Sequence, residues 1–65
     1  MNADYVYSAV KEVFDIDKPI YEEYIIYLVG FEGLYTLIEK GFIESDGVIN
    51  GRRSYILCDA KHEEN

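Results

Sequence analysis

The stretch Glu39-Lys40-Gly41-Phe42-Ile43-Glu44, continuing to Asn50-Gly51-Arg52-Arg53-Ser54-Tyr55-Ile56-Leu57, decides how this chain is read. Gly41 follows an apolar-periodic segment and suits the C′ position of a helix, with Lys40 at the negative helix end. Phe42 and Ile43 then open a β-prone run. Asn50-Gly51 is the strongest short signal for a type I′ hairpin, because both central residues need positive φ. The order is helix end, glycine stop, strand, tight turn carrying two arginines, returning strand. Centring the turn on Asn50-Gly51 pairs Ile43 with Cys58, Ser45 with Ile56 and Gly47 with Ser54. That register sets Ile43, Ile56 and Cys58 on one face, as a lid over the helices. Asp46-Gly47 is a competing turn, or the mark of a bulge or a longer loop.

Working back from the hairpin, Phe31 to Lys40 reads as an amphipathic helix. Phe31, Leu34, Tyr35, Leu37 and Ile38 share one side; Glu32, Gly33, Thr36, Glu39 and Lys40 share the other. Before it, Lys18 to Val29 predicts a second helix, with Asp17 as N-cap, Pro19 in the first turn, and Glu22 and Glu23 near the positive end of the dipole. Its apolar residues (Ile20, Tyr21, Tyr24, Ile25, Tyr27, Leu28, Val29) sweep about 200° at 100° per residue, wider than one buried face requires. Ile26 falls among Glu22 and Glu23 on the other side, and Gly30 ends or bends the helix. The first helix, Asp4 to Phe14, buries Val6, Ala9, Val10, Val13 and Phe14, with Ser8, Lys11 and Glu12 facing out. The fold class is therefore α+β: two or three short helices followed by a C-terminal β-hairpin. Residues 1–59 form one small domain, and the polar run 60–65 forms a frayed tail.

A chain of 65 residues makes one domain at most. The core of such a chain rarely supplies more than about 3–5 kcal/mol net. Cys58 is the sole cysteine, so no disulfide framework assists; it reads as a small apolar residue in a strand rather than a reactive thiol. The start lacks a basic n-region, and no apolar run approaches the roughly 18 residues of a membrane span. A cytoplasmic protein is the expectation. Thirteen acids against six bases leave a formal charge of −7, which repels phosphate backbones and points to a protein partner instead.

No catalytic set is legible. His62 lies in the polar tail, where no packing would hold it for proton transfer. Gly30, Gly33 and Gly41 are spaced as helix punctuation, not as a phosphate loop. Asp15, Asp17, Glu22 and Glu23 do not make a calcium loop, since Pro19 and Ile20 occupy the interior and no glycine divides it. The reading is therefore of a non-enzyme without cofactor or metal. Arg52-Arg53 form the only basic pair; beside a turn such residues reach for phosphate or a narrow minor groove, or simply solubilise an exposed tip.

The segments Leu37 to Glu44 and Gly51 to Leu57 resemble the C-terminal half of small bacterial winged-helix regulators. In those families a leucine-rich helix ends in Glu-Lys-Gly, a hydrophobic strand follows, and a Gly-Arg wing leads into a Tyr-x-Leu strand. The resemblance covers about a third of the chain. It implies a winged-helix-like order, with Phe31 to Lys40 in the recognition position and Arg52 and Arg53 on the wing. The polar side of that helix holds Glu32, Thr36, Glu39 and Lys40, however, whereas base and phosphate readout uses Arg, Lys, Asn or Gln. The expected function is thus a protein-interaction module, a small regulator or inhibitor docking on a larger partner or forming a homodimer. Tyr21, Tyr24, Ile26 and Tyr27 are its expected contact residues, with Ile26 and Tyr27 the most exposed. The alternative is a dimeric DNA-binding winged helix that uses Lys40, Arg52 and Arg53 on phosphates.

Overall fold

Asn2 starts the first helix, α1 (Ala3–Val13), by accepting hydrogen bonds at Oδ1 from the backbone N–H groups of Asp4 (2.9 Å) and Tyr5 (3.2 Å). The computed structural model, which describes residues 2–58, continues with β1 (Ile20–Tyr21), α2 (Glu22–Glu39), β2 (Ile43–Ile49) and β3 (Arg52–Leu57). The architecture is α+β, two helices on a three-stranded antiparallel sheet of order β1-β3-β2. The tail expected over 60–65, His62 included, lies outside the described residues.

Four sequence expectations need correction. On α1 the buried residues are Val6, Tyr7 and Val10, while Val13 is 59% exposed. Tyr7 turns inward because its ring packs on Phe42 at 4.6 Å and its hydroxyl donates to the Cys58 carbonyl at 2.6 Å. An apolar ring with a satisfied polar tip is a good core residue.

The second helix begins at Glu22, not Lys18, so Asp17 is not its N-cap. Ile20 and Tyr21 form β1 instead, opposite Tyr55 and Ser54 of β3. Pro19 disfavours the helical region for Lys18, and a β-branched residue followed by an aromatic suits the free side of β3.

The third correction concerns the helix face after Gly30. Gly30 sits at φ 80°, ψ 172° and breaks α2 into two arms, residues 22–29 and 31–39. An L-residue resists that backbone; glycine does not. In the second arm the buried residues are Gly33, Leu34 and Leu37, so the inward stripe is rotated from the expected one. Gly33 is the reason. A Cβ built there would lie 2.6 Å from Val29 Cβ and 3.5 Å from Val6 Cγ1. The Val29 distance is a clash and the Val6 distance is ordinary contact, so only a residue without a side chain lets the kinked helix close on itself, and bringing Gly33 inward turns Phe31, Tyr35 and Ile38 out.

The C-terminus of α2 behaves as read. Gly41 N–H donates to the Ile38 carbonyl (3.1 Å) and Phe42 N–H to the Leu37 carbonyl (2.9 Å). This is the paired bonding of a Schellman cap, and it delivers Phe42 directly into the core.

The fourth correction is the hairpin register. The turn is where Asn50-Gly51 put it, with φ 55° and 76° and the pairs Ile49↔Arg52 and Val48↔Arg53. Between Ser45 and Val48 the ladder slips by one residue, so Ile43 faces Leu57, Glu44 faces Ile56 and Ser45 faces Tyr55. Asp46-Gly47 is therefore the irregularity, with Gly47 N–H donating to Ser45 Oγ at 3.2 Å. The slip pairs buried Ile43 with buried Leu57 and leaves Ile56 half-buried opposite exposed Glu44. One extra residue changes which side chains reach the core.

Candidate interaction surface

The hairpin and the start of α2 are joined by polar contacts. The Tyr55 hydroxyl donates to Glu22 Oε2 at 2.9 Å, and Asn50 Nδ2 donates to the Tyr21 hydroxyl at 2.8 Å. Arg52 pairs with Glu23 at 3.6 Å and lies over the Tyr21 ring, 4.7 Å from its centroid. Burial first, and then the hydrogen bond to the Glu22 carboxylate, push the Tyr55 phenol above its ordinary value. The hydrogen bond and the charge of the Glu22 carboxylate both favour the protonated phenol, because a carboxylate neighbour disfavours a phenolate.

These contacts sort the residues expected to bind partners. Tyr24 is exposed and Tyr27 is 92% exposed. Tyr21 is half-buried, held between Arg52, Asn50 and the Tyr24 ring at 5.7 Å. Ile26, expected outside among acids, is instead partly buried and packed on the core. It lies one turn after Glu22, whose carboxylate is tied to Tyr55, so that side of the first arm faces the sheet rather than water. For the DNA alternative, Lys40 is the exposed C-cap of α2, and exposed Arg53 follows Arg52 at the start of β3. Arg52 is already engaged by Glu23 and Tyr21.

The second arm of α2 presents a different surface. Phe31 (60% exposed), Tyr35 (61%) and Ile38 (40%) stand at i, i+4, i+7 on one face. The Phe31 and Tyr35 rings lie 6.4 Å apart. Glu32 and Glu39 are exposed beside them. Among the described residues the ion pairs are Asp15–Lys18 and Glu23–Arg52, so neither Glu32 nor Glu39 has a cation partner. Sequence reading missed this face by assigning Phe31, Tyr35 and Ile38 to the core. The signal was available in Gly33-Leu34 and Leu37, a small-plus-large stripe at helical spacing that also suits a close contact.

Two shallow apolar grooves flank the helices. One, about 290 Å³, lies between α1 and the first arm of α2 and is lined by Tyr5, Val6, Ala9, Leu28 and Val29. The other, about 280 Å³, is bordered by Phe14, Pro19, Ile20, Tyr21, Tyr24 and Ile49. Cys58 is buried, its Sγ 3.4 Å from Glu44 Oε2 and its backbone N–H donating to the Phe42 carbonyl. Among the described residues no group of three or more His, Cys, Asp and Glu side chains is placed to hold a metal ion. Among the described residues no helix is long and apolar enough to cross a membrane. Comparison of the chain with protein-family models, curated proteins and solved structures finds no match.

Proposed function

We propose that this chain is a winged-helix-like domain working as a protein-interaction module, and that the second arm of α2 is its contact face. The winged-helix layout is supported by the element order, by the Gly30 break that splits α2 into two arms, and by short β1 completing a sheet of order β1-β3-β2. In such a layout the arm after the break is the element presented to a ligand. The observation that carries the functional reading is what this arm presents: Phe31, Tyr35 and Ile38 exposed, bordered by Glu32 and Glu39. Aromatic and aliphatic side chains are the residue types that anchor protein interfaces. Two acids on the same face repel phosphate.

A DNA-binding reading with Lys40, Arg52 and Arg53 on phosphates draws on the same layout and on the exposed arginine at the hairpin tip. It is weakened by the Arg52–Glu23 pair, which occupies one of the three cations. Titration with duplex genomic fragments separates the readings. The interaction module binds DNA no tighter than roughly 10⁻⁴–10⁻⁶ M at physiological salt, the range of nonspecific binding. Submicromolar binding that is lost in Arg52→Ala with Arg53→Ala would reverse the ranking.

A further inference from the structure

We infer that the occupant of the second arm of α2 is a basic, helical segment of another protein, a proposal that rests on reading this arm as a contact face. Phe31, Tyr35 and Ile38 follow the 4-then-3 spacing of a ridge on which a second helix packs. Glu32 and Glu39 fall on the same edge of that ridge, next to Tyr35, and are seven residues apart. Two turns separate them by about 10.5 Å along the axis at 1.5 Å per residue. Among the described residues neither makes an ion pair, the two pairs present being Arg52–Glu23 and Lys18–Asp15. The complementary partner sets an apolar stripe against the three apolar residues and places lysines or arginines one heptad apart against the two glutamates.

Charge argues against the other occupants. A second copy packing this helix antiparallel to its own would bring two acid rows together, and either packing would join protomers each carrying −7. Nucleic acid would set its phosphates against Glu32 and Glu39. One helix arm also offers less than the roughly 800 Å² per partner of a standard stable interface, so the contact is a transient one.

The test uses two synthetic three-heptad peptides with leucine at the a and d positions, one with lysine and one with glutamate at e and g. Binding is read by fluorescence anisotropy and mapped by NMR chemical shifts on the full chain. The lysine peptide is expected to bind roughly fivefold to tenfold tighter at low salt, as two rim charge pairs permit, with the advantage shrinking as salt rises. Shifts should centre on Phe31, Tyr35 and Ile38. Glu32→Lys with Glu39→Lys should reverse the preference. Glu12→Lys with Asp17→Lys, the same change in net charge made elsewhere, should preserve it. If both peptides bind this face equally, or the second pair of substitutions also reverses the preference, the basic-partner inference fails and the contact face stands. If no shift appears at Phe31, Tyr35 and Ile38, both fail.

Discussion

The two arms of α2 use similar residues and put them in opposite situations. At the start of the first arm, Glu22 accepts from Tyr55, Glu23 pairs with Arg52, and Arg52 lies over the Tyr21 ring, which is tilted against Tyr24. On the second arm, Glu32 and Glu39 make no ion pair among the described residues, and Phe31 and Tyr35 touch each other and are more than half exposed. Acid and aromatic side chains thus serve cohesion where the hairpin reaches them, at Tyr21, Glu22 and Glu23. The same types remain available to a partner where nothing covers them. Composition alone does not separate these roles; position relative to β3 does. The break at Gly30 and the close contact at Gly33 create the two positions.

Among the glycine changes the largest expected effect comes from Gly33, where the second arm closes on Val29. Gly33→Ala should destabilise the fold by about 1–3 kcal/mol, the range for overpacking a filled core. Alanine improves helix propensity by up to about 1 kcal/mol, but the new Cβ sits 2.6 Å from Val29 Cβ, an atom fixed close to its own backbone. The clash therefore outweighs the propensity gain. Thermal melting checks the sign, and Val29→Ala added to Gly33→Ala should recover part of the loss. A Gly33→Ala protein melting above the wild type would mean that the arms are not held in close contact.

Gly51→Val comes next. Gly51 has φ 76° in the turn that places Arg52 and Tyr55 over the first arm. A β-branched residue resists this region by about 1–2 kcal/mol. Denaturant titration should show the loss, while an unchanged midpoint would remove the type I′ assignment.

Gly51 and Gly41 show how far the sequence could be read. The Asn50-Gly51 turn and the Gly41 cap depend on local backbone preference, so both were legible and both are present. The hairpin register was not, because the slip at Asp46-Gly47 is a choice between two nearby turn signals that packing settles. Strand β1 was not legible either. Two residues carry no periodicity, and Ile20-Tyr21 becomes a strand only because β3 has an open side. The contact face was misread for a related reason. Helical spacing allows two overlapping apolar stripes in Phe31 to Ile38, and the close approach of Val29 to Gly33 across the Gly30 break selects the inner one. What stands in the chain itself could be read; what depends on a second element could not.

Tyr55→Phe tests the covered side more gently. It removes the hydrogen bond to Glu22, worth about 1–2 kcal/mol for a bond to a charged acceptor at a partly buried site. The pH dependence carries the sign. Because the folded phenol is held above its ordinary value near 10, the native state keeps a proton that the unfolded chain releases. This contribution is full below about pH 10 and is lost as pH rises through the folded value. Wild type and Tyr55→Phe should therefore differ in stability at pH 7 and converge in alkaline solution, which isolates Tyr55 from the other tyrosines. A gap that stays constant through that range would mean the Tyr55–Glu22 bond does not persist in solution.

The smallest expected effect on stability is also the one that bears most on function. Phe31→Ser with Tyr35→Ser replaces two side chains that are more than half exposed, and serine has nearly the helix propensity of phenylalanine and tyrosine. The i, i+4 ring contact contributes only about 0.2–0.5 kcal/mol on a helix surface, so the melting curve should barely move. Leu34→Ser, on the buried side of the same arm, should instead cost about 3 kcal/mol or more, since it leaves a cavity and an unpaired hydroxyl in the core. That contrast fixes which stripe faces inward before any partner is added. With folding intact, the double serine variant should lose binding to the lysine peptide, while Tyr5→Ser, an exposed aromatic on α1, should retain it. Equal loss in both variants would make the aromatic surface as a whole adhesive and deny the second arm a separate role. Selective loss in the double variant ties recognition to the arm that the hairpin leaves uncovered.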